Sequence, residues 1–538
     1  MRFLASLPLL LASLASAQTH QADIVIYGGT SAGIIAGIQA AKLGKKVIVV
    51  EAGQHIGGMS VEGLGGTDID NHKEIRNSQA VGGLALEFYR RISLKYNRNG
   101  AFDAMLTSHS MDTGLWRFEP HVAEQVFETW VKEAKLTVLR GHRLKESNGV
   151  TMEKLKIVSI ACENGAVIKG KVFLDATYEG DLLALAGLSF AVGREGNEKY
   201  RETTNGLRLD SNHQQLDRKV DPYVRPGVPS SGLIFGVENA PVGKDGDPDD
   251  GIQGYCFRLC LTRAANRTPV EKPAGFDPAR YELQRRYLAA GGKIDPPSPG
   301  VPNGKTDPGS WHILAGNLTG FNHRYPIAGY VERAELLRTA RLHIQGLYWY
   351  LANDPSVPSA TRSAWKQWGL TKDEFTDNGG WPRAMYIRNG RRLVGDFVLN
   401  EEHLRRNYPT LIEDSVGLIW WPPDFHHARC IVKDGRVWME GAVFDSSPTP
   451  NWIPCGIPYR ALVPKIKECT NLLTPTCPSS SYVAYGAYRI EFTFMTAGQS
   501  CATAAALAID SNAPVQRINL NLLGERLRNQ GQVLEVPK

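Results

Sequence analysis

Apolar positions in residues 22–66 change their spacing twice. Residues 23–27 read as a short strand, apolar after Asp23, and lead into the turn Gly28-Gly29-Thr30-Ser31-Ala32-Gly33. Residues 32–43 are small and apolar and fit a helix broken at Gly44; a second strand over 46–50 ends on Glu51. Strand, Gly turn, helix, strand and acid, in that order, make a dinucleotide-binding unit.

Further along, 122–134 carries an i, i+3/i+4 apolar face and predicts a helix, followed by a strand over 136–139. Strands over 155–161 and 166–173 suggest a small antiparallel insert. An apolar strand end over 172–177, which includes Asp175, meets the turn Tyr178-Glu179-Gly180-Asp181 and a short helix over 182–186. Beyond residue 193 Pro, Gly and Asp become frequent and aromatic residues cluster, with helical patterns at 278–290, 331–351 and 362–368. This segment, 193–455, reads as an α+β substrate or cap domain inserted into a cofactor domain made of 18–192 and 456–538. The cofactor domain closes with an alanine-rich helix that is expected to begin at Gly498 and run to about residue 509.

The opening turn has physical reasons behind it. Gly28 permits the tight bend, Gly33 lets the helix lie close on the strand, and the helix N-terminus attracts a pyrophosphate. Glu51 stands where a carboxylate accepts hydrogen bonds from a ribose diol. Thr30 replaces the middle glycine of the usual G-x-G-x-x-G. The later pair Gly57-Gly58, followed by Met59, allows backbone to approach a bulky cofactor and tilts the reading towards FAD. A small-residue helix headed by Gly498 is expected to approach a flat ring, its dipole stabilising charge at the edge of a reduced flavin.

Composition is that of a globular protein, 42% hydrophobic and 22% charged, and the formal charge of +6 is spread without a basic block, which argues against nucleic acid as a partner. Residues 1–17 have the positive start, apolar core and Ala-Ser-Ala end of a cleaved signal peptide. No later stretch reaches about 18 uninterrupted apolar residues, so no membrane partner is expected. The expectation is a secreted protein, with Asn266-Arg267-Thr268 and Asn317-Leu318-Thr319 as glycosylation candidates. Eight cysteines fit an oxidising compartment, with Cys469 and Cys477 the most local disulfide option. The C-x3-C at Cys256 and Cys260 lacks a second ligand pair, so no metal is expected.

Several segments together are similar to the FAD-dependent oxidoreductase family of the glutathione-reductase-like superfamily: GGTSAGI, EAGQHIGGM, FLDATYEGDLLALAG, YIRNGRRLVGDFVL and RIEFTFMTAGQSCATAAALA. The resemblance implies an α/β fold with a three-layer ββα Rossmann-like domain, bound FAD and redox chemistry at a flavin. It places FAD contacts at Gly28, Thr30, Ser31, Ala32, Glu51, Gly57, Gly58, Met59, Gly498 and Ser500, with backbone contact to adenine near Arg143 and Leu144. The chain departs from relatives around Trp420-Trp421-Pro422-Pro423-Asp424-Phe425-His426-His427 and at 474–481, which leaves the substrate open.

Oxidising a C–H bond at a flavin needs the donor carbon held near N5 and usually a base for the accompanying proton. His426 or His427 is the expected base, with Asp424 orienting it. Arg391 and Arg392 are candidates for holding an anionic group, and Arg489, just before the last helix, for facing the ring. His55, ahead of the Gly pair, is a candidate covalent attachment point. The expected activity is hydride transfer from a small organic substrate to flavin N5, with molecular oxygen as acceptor. The alternatives are a dehydrogenase using a quinone or another external acceptor, and a flavin-fold protein without redox activity.

Overall fold

The computed structural model describes residues 18–309, 314, 316–406, 412–444 and 452–537; the expected signal peptide lies outside them. Five strands, β1 (Ile24–Tyr27), β2 (Val47–Val50), β3 (Thr137–Leu139), β4 (Val172–Asp175) and β5 (Leu472–Leu473), form a parallel sheet in the order β5-β4-β1-β2-β3. The two faces of the sheet divide the apolar residues by the two-residue period of a strand. Ile24, Ile26, Val47, Val49, Val172 and Leu174 face the helices, whereas Val25, Tyr27, Ile48, Val50 and Phe173 face a second sheet. That second sheet has four short strands, Thr19–Gln21, Val167–Lys169, Lys156–Ala161 and Val150–Glu153. It covers most of the expected antiparallel insert; the run expected over 166–173 divides at Gly170, and 172–175 joins the main sheet as β4. Helices, parallel sheet and small sheet make three layers.

Helix α1 (Ser31–Lys42) packs on the main sheet beside α2 (Gly83–Lys95) and α3 (Pro120–Glu133). Helix α4 (Tyr330–Asn353) lies in the middle segment of the chain, and near the chain's end α5 (Tyr482–Tyr488) is followed at once by α6 (Glu491–Asp510). The alanine-rich helix α6 begins seven residues earlier than expected. Gly498 is not its head but its crossing point: a Cβ there would stand 2.4 Å from the Ala32 carbonyl oxygen, so only glycine lets α1 and α6 approach so closely. Among the described residues α6 is the one helix long and apolar enough to cross a membrane, and almost all of it is buried in the core.

Besides α4, the described residues of 193–455 are mostly loops and two-stranded ribbons, such as Arg429–Lys433 with Arg436–Glu440. Their apolar residues do not form a core of their own. One buried cluster runs from Ile24 through Tyr255, Leu347 and Ile457 to Leu534. All eight cysteines are free and buried, so the expected disulfide is not formed. The Cys469 thiol donates to Asn471 Oδ1 at 3.4 Å and the Cys477 thiol to the Thr177 carbonyl at 3.4 Å. Asn266 is exposed, whereas Asn317 is half-buried and its Oδ1 accepts from Arg388 Nη1 at 3.1 Å, which does not suit a glycan.

Candidate functional site

The opening turn is built as its sequence demands, with one device of its own. Gly28 has φ of +104°, and a Cβ on Gly33 would come within 1.9 Å of the Gly28 carbonyl oxygen. Thr30 serves as the N-cap of α1: its hydroxyl accepts from the Gly33 N–H at 3.2 Å and donates to the Ala176 carbonyl at 2.7 Å. The side chain that stands in place of glycine is thus consumed inside the turn. Glu51 accepts from the Gly29 and Gly53 N–H groups at 2.6 Å each, while burial pushes its carboxyl up.

A cavity of about 440 Å³ opens at the carboxyl ends of β1 and β2, the usual ligand position on such a sheet. On the sheet side it is lined by Gly28, Thr30, Glu51, His55, Gly58 and Arg143; on the other by Tyr325 and by Tyr330, Arg333 and Leu337 of α4. Asp181 fastens that far wall: its two oxygens receive Arg333 Nη1 and Nη2 at 2.8 and 2.9 Å, and Arg391 Nη1 at 2.7 Å. The Gly57-Gly58 loop returns against β1, with the Gly57 N–H on the Gly29 carbonyl at 2.7 Å. From there Ser60 leads to a narrow cleft shared with Asp68, Tyr89, Tyr386 and Glu491, at the N-terminus of α6.

The FAD dependent oxidoreductase profile matches residues 23–527. The chain belongs to this family. Its cofactor is therefore FAD, and the turn, the carboxylate and the glycine loop supply what a dinucleotide needs: free N–H groups at the start of α1, a ribose acceptor and room for close approach. Glu51 keeps unused lone pairs beyond its two backbone bonds, so it retains acceptor capacity for a diol. No curated protein matches the chain. Among solved structures it is similar to L-proline dehydrogenase from P. horikoshii, at 18% identity and TM-score 0.24, covering 33% of this chain and 59% of that one. It is also similar to L-amino acid deaminase from Proteus vulgaris, at 17% identity and TM-score 0.24, covering 33% and 52%. The matched part is thus short of two thirds of either relative's length.

In this FAD dependent oxidoreductase several residues expected at the cofactor are committed elsewhere. Leu144 gives its N–H to the Tyr27 hydroxyl at 3.0 Å and takes the Tyr330 hydroxyl on its carbonyl at 2.9 Å, which leaves little backbone for adenine. Arg143 does line the cavity; it lies over the Tyr330 ring and pairs with Glu163. Asp175 accepts from Thr177 Oγ1 at 2.7 Å and the Leu183 N–H at 2.8 Å, so it shapes the following turn; burial pushes its carboxyl up to about 6. Met59 is buried, its N–H on the Tyr178 hydroxyl at 3.0 Å. Ala32 and Gly498 meet at the helix crossing, and Ser500 is buried on α6 with its hydroxyl on the Val416 carbonyl at 2.7 Å. None of these three lines the cavity. His55 does, held between Glu124 at 2.5 Å and Asp377 at 3.0 Å.

The expected catalytic residues divide in the same way. Asp424, Arg489 and Tyr386 form one unit: Arg489 Nη2 to Asp424 Oδ2 is 3.0 Å and Nη1 to the Tyr386 hydroxyl is 3.0 Å. The His426 ring is driven well below its ordinary range by burial and then by Arg388, Arg489, His427 and Arg258. His427 is pinned, its ring Nε2 to the His213 carbonyl at 3.2 Å, and burial takes it down to about 4. Arg392 is fully buried on Glu195 at 2.7 Å and the Gly193 carbonyl at 2.9 Å, and Arg391 belongs to the Asp181 cluster. Asp68 escaped the sequence reading; burial and Asp424 push it up to about 6, against the pull of Arg258 and Arg489. Nothing in its local sequence marks it. Arg333 was missed too, because a helix with one arginine on its packed face looks ordinary until its partner is known.

Proposed function

We propose that this protein is a secreted oxidase that removes hydride from a small organic substrate, with FAD accepting it at N5 and molecular oxygen as the final acceptor. The observation that carries the reading is the buried polar unit of Asp424, Arg489 and Tyr386 beside Asp68 and the N-terminus of α6. Bound FAD would supply the two-electron acceptor. Around it, the chain's own groups are suited to orienting a polar substrate: Arg489 remains charged beside Asp424, while burial and the neighbouring cations hold the His426 ring neutral and oppose its protonation, so its role as base rests on the variant below. Export through residues 1–17 favours oxygen, because no nicotinamide pool is expected outside the cell, and the sequence carries no second G-x-G-x-x-G unit.

Anaerobic mixing with alcohols, amines, sugars and aromatic metabolites should bleach the flavin with one class, and air should then yield hydrogen peroxide. No bleaching across the panel defeats the redox reading; bleaching without peroxide turns it into a dehydrogenase. His426→Ala should slow flavin reduction by at least about tenfold if the ring is the base. His427→Ala should not, because that ring is occupied by the His213 carbonyl.

A further inference from the structure

Four parts of the cofactor-binding domain converge on one carboxyl group. Glu491 opens α6 and is 6% exposed. Its Oε2 accepts from the hydroxyl of Ser31, the first residue of α1, at 2.5 Å, and its Oε1 accepts from the Tyr178 hydroxyl at 2.8 Å. That phenol also receives the Met59 N–H at 3.0 Å, and a Cβ on Gly58 would lie 2.3 Å from it. Two helix N-termini, the glycine loop and the β4 turn therefore meet at Glu491, and one of them, the start of α1, is suited to an anionic group of the cofactor.

We propose that Glu491 has to be neutral for tight FAD binding, so that taking up the cofactor also takes a proton into the site. The inference rests on FAD as cofactor and is independent of what the flavin oxidises. An ionised carboxylate uses the positive ends of α1 and α6 for itself and repels a diphosphate. A neutral one leaves both helix ends to the ligand, and its O–H can donate to Ser31 Oγ, releasing the serine's own hydrogen. Burial raises the carboxyl to about 7, with the Ser31 and Tyr178 bonds pulling it down. The other titratable groups facing it are Tyr178, Tyr89 of α2, Tyr386 and, in the shared cleft, Asp68. Burial keeps the three phenols neutral. Arg489, two residues earlier, is occupied by Asp424 and Tyr386.

The sign follows from the acid's equilibrium. Below its pKa Glu491 is neutral and the dissociation constant is flat; above it the competent fraction falls and the constant rises, by up to about tenfold per pH unit. The test is flavin fluorescence released on serial dilution of the holoenzyme between pH 5.5 and 8.5. The wild type should lose affinity as pH rises through neutrality, and Glu491→Gln should give a flat profile with tight binding throughout. Tyr178→Phe removes one donor to the carboxylate and should move the rise to higher pH. A flat wild-type profile overturns the proposal, as does a rise that persists in Glu491→Gln. If Glu491→Gln fails to fold by circular dichroism, Tyr178→Phe decides, and an unmoved midpoint overturns it. Protein that holds no FAD at any pH overturns it together with the cofactor assignment, whereas failed bleaching with a normal Glu491 profile defeats only the oxidase reading.

Discussion

His427 shows how burial redirects a residue that sequence alone would hand to catalysis. A histidine in a stiff aromatic segment is a fair candidate base, yet this ring is 3% exposed and bonded to a carbonyl. Its folded-state pKa of about 4 lies below the unfolded value near 6.5, so the unfolded chain binds the extra proton between those pH values. Stability from this group is full above about pH 6.5 and is lost as pH falls towards 4, by about 3 kcal/mol. His427→Gln keeps a donor for the His213 carbonyl and cannot protonate. Denaturant unfolding at pH 6.5 and 4.5 should show a smaller acid loss in the variant, and an equal loss would mean the ring titrates normally. Thr30 and Asp175 teach the same lesson, since both are consumed by turns.

At the scale of elements, what was legible in sequence is what local pattern encodes. Strands β1 and β2, helix α1 and the turn between them were readable because glycine, apolar period and acid fall within 30 residues. The start of α6 was not: Gly498 looks like a helix head in isolation, and its real role depends on Ala32, which is remote in the chain. The same holds for α4, whose Arg333 meets a partner 152 residues away. Gly498→Val should force α1 and α6 apart at the cost of about 3 kcal/mol, the upper end for overpacking. Gly524→Ala, on a half-buried helix position where the nearest atom is the flexible Arg528 end at 3.3 Å, should instead stabilise by about 0.5–1 kcal/mol. Denaturant midpoints of the two variants should move in opposite directions. A Gly498→Val midpoint that does not fall would deny Gly498 its role as the crossing point.

Across the whole molecule, the residues read as an inserted cap share the main core and also close the cofactor cavity, and Asp181 is where those two facts meet. One carboxylate at the β4 turn holds Arg333 of α4 and Arg391, and all three side chains are at most 13% exposed. Removing it leaves two buried guanidinium groups without their counter-ion, a change that costs about 3–5 kcal/mol when a buried pair is broken. The loss should reach function as well as stability, because α4 carries the cavity wall of Tyr330, Arg333 and Leu337. Asp181→Ala should therefore both lower the denaturant midpoint and speed FAD release at least about tenfold. Glu332→Ala, one position away on the same helix and paired only with the exposed Arg324, should change stability by no more than about 0.5 kcal/mol. FAD release is followed by the rise of free-flavin fluorescence after dilution. If Asp181→Ala is destabilised but holds FAD as long as the wild type, α4 is a structural cover and not the wall that retains the cofactor.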